Sequence, residues 1–239
     1  KGGKLVAENG KMLHQKEKNT DWSTEIKERV FHSFHRVPIT VEELQLKETT
    51  GTHQRVIDMV AHELITKERI EEWKELPGVA PGVDISRDIV KLAAIERHKN
   101  TGHVGLGFLG KYGLKKGAVA TSIGHDSHNL VIAGVTDEDM VLAGNRVIEN
   151  GGGLAIALEG KVLADLPLPI GGLMADEPVE VVDEKLEHMK KLSVELGISE
   201  DIDAFMTLAF ISLPVIPKLR LNTYGVVDVE KHQVVEARF

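Results

Sequence analysis

Apolar segments of strand length follow one another along this chain with links too short to hold a helical crossover. Ala118–Ile123 and Leu130–Val135 are separated only by a polar link at residues 124–129, and Leu154–Leu158 is separated from Lys161–Pro167 by Glu159-Gly160 alone. Parallel neighbours need a crossover of roughly a dozen or more residues, so these strands are expected to pair antiparallel. Helical segments lie between them. The pattern therefore predicts an α+β fold of mostly antiparallel sheets layered with helices.

The remaining elements are predicted from periodicity and from turn and capping residues. Further strands are expected at residues 54–66, 88–97, 219–229 and 234–235. Helices are expected at residues 24–30, capped within Thr20–Ser23, at 137–150, capped by Asp137, and at 183–196, ended by Gly197. Residues 40–43 open another helix or turn, residues 67–75 are expected to form a charged, helix-like turn, and residues 205–213 fit either a buried strand or a short helix.

The first segment of the chain predicts a β-hairpin. Residues 3–13 carry Asn9-Gly10 at their centre, and this dipeptide favours a type I′ turn because both positions adopt positive φ easily. Two strands alone are marginally stable, so this hairpin is expected to belong to a small β-sandwich. We expect a domain boundary after residue 36, which gives a sandwich tail at 1–36 and an α+β domain at 37–239. The sequence starts Lys-Gly-Gly without an initiator Met, and we expect a fragment of a longer protein.

Composition excludes several classes of function. The net charge is −8 and basic residues occur only as isolated pairs, which predicts no nucleic-acid partner. There is no cysteine, so disulfides, thiolate metal sites and cysteine nucleophiles are excluded. No apolar run approaches the ~20 residues of a membrane helix, and no signal-peptide pattern opens the chain. A cytoplasmic protein with no membrane partner is expected.

A glycine pattern at Gly105, Gly107 and Gly110 matches G-x-G-x-x-G literally. A dinucleotide site needs a strand directly before the pattern and a helix directly after it. Residues 99–103 are polar and further breakers follow at Gly113 and Gly117, so the context does not fit. We interpret the segment as a Gly-rich loop that allows close backbone packing.

Five consecutive polar residues, His125, Asp126, Ser127, His128 and Asn129, stand between two apolar strands. Such a run is costly unless it faces solvent or a ligand. Three interpretations remain open: a solvated loop bonded to its own backbone, a metal site, and a Ser-His-Asp triad, although no G-x-S-x-G motif is present. The run Glu96–Lys99 follows a strand end, where its four charged or titratable residues form either a surface turn or part of a cleft.

Several segments in one order resemble the C-terminal domain of the adenine deaminase family. They are residues 95–108, 113–129, 137–140, 145–146, 150–153, 166–173 and 205–221, and residues 3–11 resemble the last hairpin of the β-sandwich beside amidohydrolase barrels. The resemblance implies hydrolysis of adenine to hypoxanthine and ammonia, in purine salvage or adenine catabolism. It assigns His125, Asp126, Ser127 and His128 as candidate catalytic residues and Asn129, Glu96 and His98 as candidate substrate-binding residues, with no metal ligand in this chain.

The resemblance also implies a binuclear Mn or Fe centre, held in a barrel domain whose H-x-H motif does not occur here. The implied partners are adenine and further copies of the protein in a homo-oligomer. Without the barrel, the fragment is expected to be inactive alone. A second hypothesis is a non-catalytic module that stabilises an oligomer or docks onto a separate barrel.

Overall fold

An eight-stranded sheet runs through the centre of the protein. The computed structural model describes residues 2–13, 22–47 and 49–239. In these ranges the strands are β1 Ala7–Glu8, β2 Lys11–Met12, β3 His53–Met59, β4 Thr66–Glu72, β5 Ile89–Ile95, β6 Val104–Gly110, β7 Ala118–Thr121, β8 Leu130–Gly134, β9 Gly153–Leu158, β10 Lys161–Pro167, β11 Leu219–Asn222, β12 Gly225–Asp228 and β13 Gln233–Val235. The α-helices are α1 Thr24–Phe31, α2 Asp137–Glu149, α3 Val179–Glu195 and α4 Ala204–Ile211. None of the helices in the described ranges is both long and apolar enough to cross a bilayer.

The central sheet has the strand order β10-β9-β7-β8-β5-β6-β3-β4. Its pairs are antiparallel except β3 with β6, which is parallel. A second sheet contains β11, β12 and β13, and β1 pairs with β2 as a separate hairpin. The predicted α+β fold, rich in antiparallel pairs and preceded by a hairpin, is confirmed.

Alternate residues of the central strands face two separate cores. On β5, Ala93 and Ile95 pack with Met140 and Val147 of α2, whereas Leu92 and Ala94 belong to the core on the other face. That second core is closed by α3, α4 and the sheet of β11 and β12, which supply Met189, Leu208, Leu221 and Val226 among others. Strand β5 is buried along its whole length because it is covered on both faces, which explains why it is apolar except for Lys91.

Both predicted two-residue turns are confirmed. Asn9-Gly10 has φ of 50° and 75°, and Glu159-Gly160 has φ of 50° and 74°, the positive values that type I′ turns require. Helix α1 is also confirmed, and its N-cap is Ser23, whose side chain accepts a hydrogen bond from the Ile26 amide. The predicted capping residues Thr20 and Asp21 lie outside the described residues. The domain boundary after residue 36 stays a prediction.

Residues 67–75 do not form the predicted helix-like turn. Residues 66–72 are strand β4, and β3 ends at Met59 rather than Thr66. The charges that suggested a solvated turn instead pair across the two strands. Arg69 lies 2.9 Å from Asp58, and Arg55 lies 2.9 Å from Glu68. Cross-strand ion pairs let a charged segment form an edge strand.

The glycine pattern at 105–110 lies in strand β6 and not in a loop, so the loop interpretation is wrong and a dinucleotide loop is excluded. The expected close packing is present. A Cβ at Gly105 would lie 1.9 Å from the Asn222 carbonyl oxygen, and one at Gly107 would lie 3.0 Å from a Val226 methyl carbon. These glycines let the second sheet rest directly on the first.

Two helix predictions are refined by the structure. The N-cap of α2 is Thr136, whose hydroxyl accepts the Asp139 amide at 3.3 Å, because Asp137 instead binds buried Lys91 at 2.6 Å. The apolar segment at 205–213 is helical, and Asp203 caps α4 by accepting hydrogen bonds from the amides of Phe205 and Met206. Helix α3 starts at Val179, earlier than predicted, and ends before Gly197 as expected.

Candidate functional site

The two polar clusters identified in the sequence meet at one end of the central sheet. Ile95 at the end of β5 pairs with Leu130 at the start of β8, so residues 96–98 run beside residues 127–129. His98 Nε2 donates to the Ser127 carbonyl at 2.7 Å, and Arg97 Nε donates to the His128 carbonyl at 2.5 Å. Antiparallel register alone therefore brings Glu96, His98 and residues 125–129 into one site.

Helix α4 holds the same loop from its other side. The His125 amide donates to the Ala209 carbonyl at 2.9 Å, and the Ser212 hydroxyl donates to the His125 carbonyl at 3.4 Å. The His125 ring stacks on Phe210, with 5.0 Å between ring centroids and 21° between planes. Residues 125–128 are thus anchored to two separate elements rather than only to their own main chain.

The tip of this loop is open to solvent. Asp126 and Ser127 are exposed, and His125, His128 and Asn129 are half-buried. The side chain of Asp126 is 87% exposed, and its Oδ1 lies 3.3 Å from His125 Nδ1. A carboxylate, a hydroxyl and two imidazoles can therefore reach a ligand placed against the loop.

His128 is held in a defined tautomer. Its backbone is left-handed, with φ of 48°, and its Nδ1 accepts the Gly124 amide at 3.3 Å. The neutral ring then carries its proton on Nε2. Burial, assisted by unfavourable electrostatic interactions with His125 and Arg97, lowers the pKa of His128 below its usual value. At neutral pH, His128 is therefore an uncharged Nε2–H donor.

Glu96 organises the turn that follows β5. Its Oε1 accepts the amides of His98 and Lys99, and its Oε2 accepts the amide and hydroxyl of Thr101, all within 3.0 Å. Burial opposes ionisation, but these bonds from Thr101, Lys99 and His98 outweigh it and lower the pKa of Glu96 to about 2. With both oxygens occupied, the arrangement supports a structural contribution to the site.

The sequence places Arg97 in a charged turn or cleft but predicts no role for it in the site. Its side chain is buried at 1% exposure, and its guanidinium lies 4.8 Å from the Phe34 ring centroid. Burial lowers the pKa of Arg97 to about 10, so it stays charged at neutral pH. The sequence signal was a cation two residues after the end of β5, which does not by itself distinguish a buried arginine from a surface one. Asn129 Oδ1 is also buried and has no hydrogen-bond partner in the described structure.

The implied metal does not fit the part of the chain that the structure describes. In those residues no three His, Asp or Glu side chains are arranged to hold a metal ion, although His98, His125 and His128 share one loop region. The arrangement suits hydrogen bonding and proton transfer.

Comparison with known proteins decides the family. Residues 63–233 match the model of the adenine deaminase C-terminal domain. The chain belongs to the adenine deaminase C-terminal domain family. It is 43% identical over 236 residues to "Adenine deaminase 2" of Carboxydothermus hydrogenoformans, covering 98% of this chain and 40% of that protein. It is 39% identical over 237 residues to "Adenine deaminase" of Lysinibacillus sphaericus, covering 99% of this chain and 40% of that protein.

The match places the candidate site within the adenine deaminase C-terminal domain. Residues 96–98 and 125–129 lie inside the matched range 63–233, whereas the hairpin of β1 and β2 lies before it. The chain spans about 40% of the length of the two adenine deaminases named above.

Proposed function

We propose that this chain is the C-terminal part of an enzyme that converts adenine and water to hypoxanthine and ammonia. The family match and the names of the relatives support this reaction. The observation that carries the proposal is the loop of residues 125–129, whose polar tip is exposed while its backbone is anchored to β5 and α4. A loop held rigidly with free polar side chains is typical of a ligand-binding segment.

We propose that this loop, with His98 beside it, forms one wall of the purine site. The neutral Nε2–H of His128 suits a hydrogen bond to an acceptor nitrogen of adenine. In the reaction, water adds at C6 and the amino nitrogen must gain a proton before the C–N bond breaks. The neighbouring His125 and Asp126 can shuttle to it the proton that the added water releases. Ser127 and Asn129 can bind the ring, and Glu96 acts by holding the turn that carries His98.

The metal is proposed only for the complete enzyme. A binuclear Mn or Fe centre would lower the pKa of a bound water and supply the nucleophile. Its ligands would come from the part of the relatives that this chain does not match. A cytoplasmic location and a homo-oligomer also remain proposals, and the lack of cysteine is compatible with a reducing compartment.

The test of the catalytic loop is His128→Ala in the complete enzyme. We expect kcat/KM for adenine to fall by at least about tenfold, because a hydrogen bond to the purine is lost. His188→Ala is the matched control, since His188 is exposed on α3 and away from the loop contacts described above. An unchanged kcat/KM in His128→Ala would remove the loop from the mechanism.

The second candidate is a docking or oligomerisation module without a catalytic part. Exposed apolar side chains favour it: Leu64 is 52% and Met206 is 44% exposed, and both line a pocket of about 190 Å³ beside Phe210. Most of α4 is core, however, with Phe205, Leu208 and Ile211 buried. Loss of assembly in Met206→Glu with unchanged kcat/KM in His128→Ala would favour this module over a catalytic part.

A further inference from the structure

Arg97 is a buried cation that forms no salt bridge in the described part of the chain. The charge of Glu96 favours the charged form of Arg97, but both Glu96 carboxylate oxygens accept hydrogen bonds from residues 98–101. Because burial disfavours the guanidinium charge, other polar groups must compensate it.

Three carbonyl oxygens from three distant segments surround this guanidinium. Arg97 donates to the carbonyls of His128, Gly171 and Ser33, at 2.5, 3.0 and 3.4 Å. The donors of a planar guanidinium point in fixed directions, so one side chain can hold three carbonyls at once, whereas a lysine ammonium cannot reproduce this fork.

The segment at residues 171–172, opposite His128, packs closely against Arg97. A Cβ on Gly172 would lie 2.7 Å from Arg97 Nη1, so a side chain there would displace the guanidinium. Ser122 fixes this segment from the other side by donating to the Gly172 carbonyl at 2.6 Å. Arg97 therefore contacts a backbone that is itself held in place.

We propose that Arg97 is a positioning residue, whose guanidinium holds the His128 carbonyl and so fixes the His128 ring for its contact with the purine; the inference rests on the function proposed above. His128 is in the left-handed region, which a non-glycine residue keeps only when its surroundings hold it. The bond from Arg97 is one such restraint; the bond from the Gly124 amide to Nδ1 and the bond from the His128 amide to the Gly124 carbonyl are two more.

The charges around His128 determine how its pKa should respond to a substitution at position 97. Arg97 and His98 face it from the end of β5, and His125 and Asp126 face it from its own loop. The three basic groups disfavour a charged His128, and Asp126 favours it. Removal of the Arg97 charge should therefore raise the pKa of His128. A lysine at position 97 keeps a positive charge there, so the pKa of His128 should change less.

The experiment compares Arg97→Gln and Arg97→Lys in the 239-residue chain. NMR titration of the histidine rings reports the pKa of His128, and hydrogen exchange reports the amides of residues 125–128. We expect Arg97→Gln to raise the pKa of His128 and both variants to speed exchange in the loop at least about tenfold. Arg220→Gln is the matched control, because Arg220 is equally buried and bonds the carbonyls of Leu219 and Leu64 instead.

Unchanged hydrogen exchange of residues 125–128 in Arg97→Lys would overturn the inference. If Arg97→Gln does not fold, Arg97→Lys alone is the test. Equal acceleration in Arg220→Gln would also overturn it, since the effect would then be general loss of stability. In the complete enzyme, Arg97→Lys should lower kcat at least about tenfold with a smaller change in KM. If His128→Ala leaves kcat/KM unchanged, the proposed function fails while the exchange result on Arg97 still stands.

Discussion

At the residue scale, Glu96 provides the clearest link between pH and stability. Its folded pKa of about 2 lies below its usual value of 4.5, so its contribution is fully present above pH 4.5 and is lost as the pH falls towards 2. We expect Glu96→Gln to reduce the free energy of unfolding by about 1–2 kcal/mol at pH 7, with allowance for solvent screening. Urea unfolding at pH 7 and pH 3 measures this difference, which should shrink at pH 3. A difference that does not change with pH would contradict the assignment.

Sequence reasoning reached some residues of the site and not others. The run at 125–129 and the pair Glu96 and His98 could be identified, because each is a polar stretch next to an apolar strand. Such a pattern can be recognised within a single segment of the sequence. The role of Arg97 could not, since its three acceptors lie at residues 33, 128 and 171. Contacts among distant segments depend on packing that a local pattern does not contain.

At the element scale, the glycines of β6 determine how closely the two sheets approach. At Gly105 a Cβ would meet the Asn222 carbonyl at 1.9 Å, and this backbone atom cannot move alone. At Gly107 the nearest atoms are side-chain carbons of Val226 and Leu221, at 3.0 and 3.2 Å. Gly105→Ala should therefore destabilise the chain by about 1–3 kcal/mol. Its melting temperature should fall clearly further than that of Gly107→Ala. Equal melting temperatures for the two variants would refute this account of β6.

Strand β5 and helix α2 are joined by a buried ion pair. Lys91 and Asp137 lie 2.6 Å apart with their side chains 1% and 6% exposed. Lys91→Met should destabilise the chain by about 3 kcal/mol, because Asp137 is left charged and buried. The double variant Lys91→Met, Asp137→Asn should recover part of that loss. Chemical denaturation of the three proteins tests this coupling, and a double variant less stable than Lys91→Met would disprove it.

Elements with a strong local signal could be predicted, and those stabilised by their neighbours could not. β9 and β10 follow from two apolar segments around Glu159-Gly160, whose turn needs no distant contact. β4 has a charged sequence and becomes a strand only through its partners on β3, such as Asp58 for Arg69. β6 likewise has too many glycines for a local strand signal, and the second sheet explains the presence of Gly105 and Gly107.

At the scale of the whole molecule, the candidate site lies where three parts of the fold meet. The loop of residues 125–129 bonds to the end of β5 in the central sheet and to helix α4 in the outer layer. Arg97 bonds to the segment at residues 33–35. The order of strands and the layers could not be derived from the sequence, because neighbours such as β3 and β6 are distant along the chain. The polar runs in the sequence identified the candidate residues, and the register of β5 with β8 explains how they come together.

Alone, this chain is expected not to deaminate adenine. In the described residues no three side chains are arranged to bind a metal ion that would activate water. With adenine and added Mn²⁺ or Fe²⁺, we expect it to release no ammonia above the protein-free rate. Fused to the part of the Carboxydothermus relative that it does not match, it should form hypoxanthine, and the same fusion with His128→Ala should do so at least about tenfold more slowly. Chromatography of hypoxanthine measures both rates. Turnover by the unfused chain would show that these residues already contain a complete site, and the division of labour proposed here would be wrong.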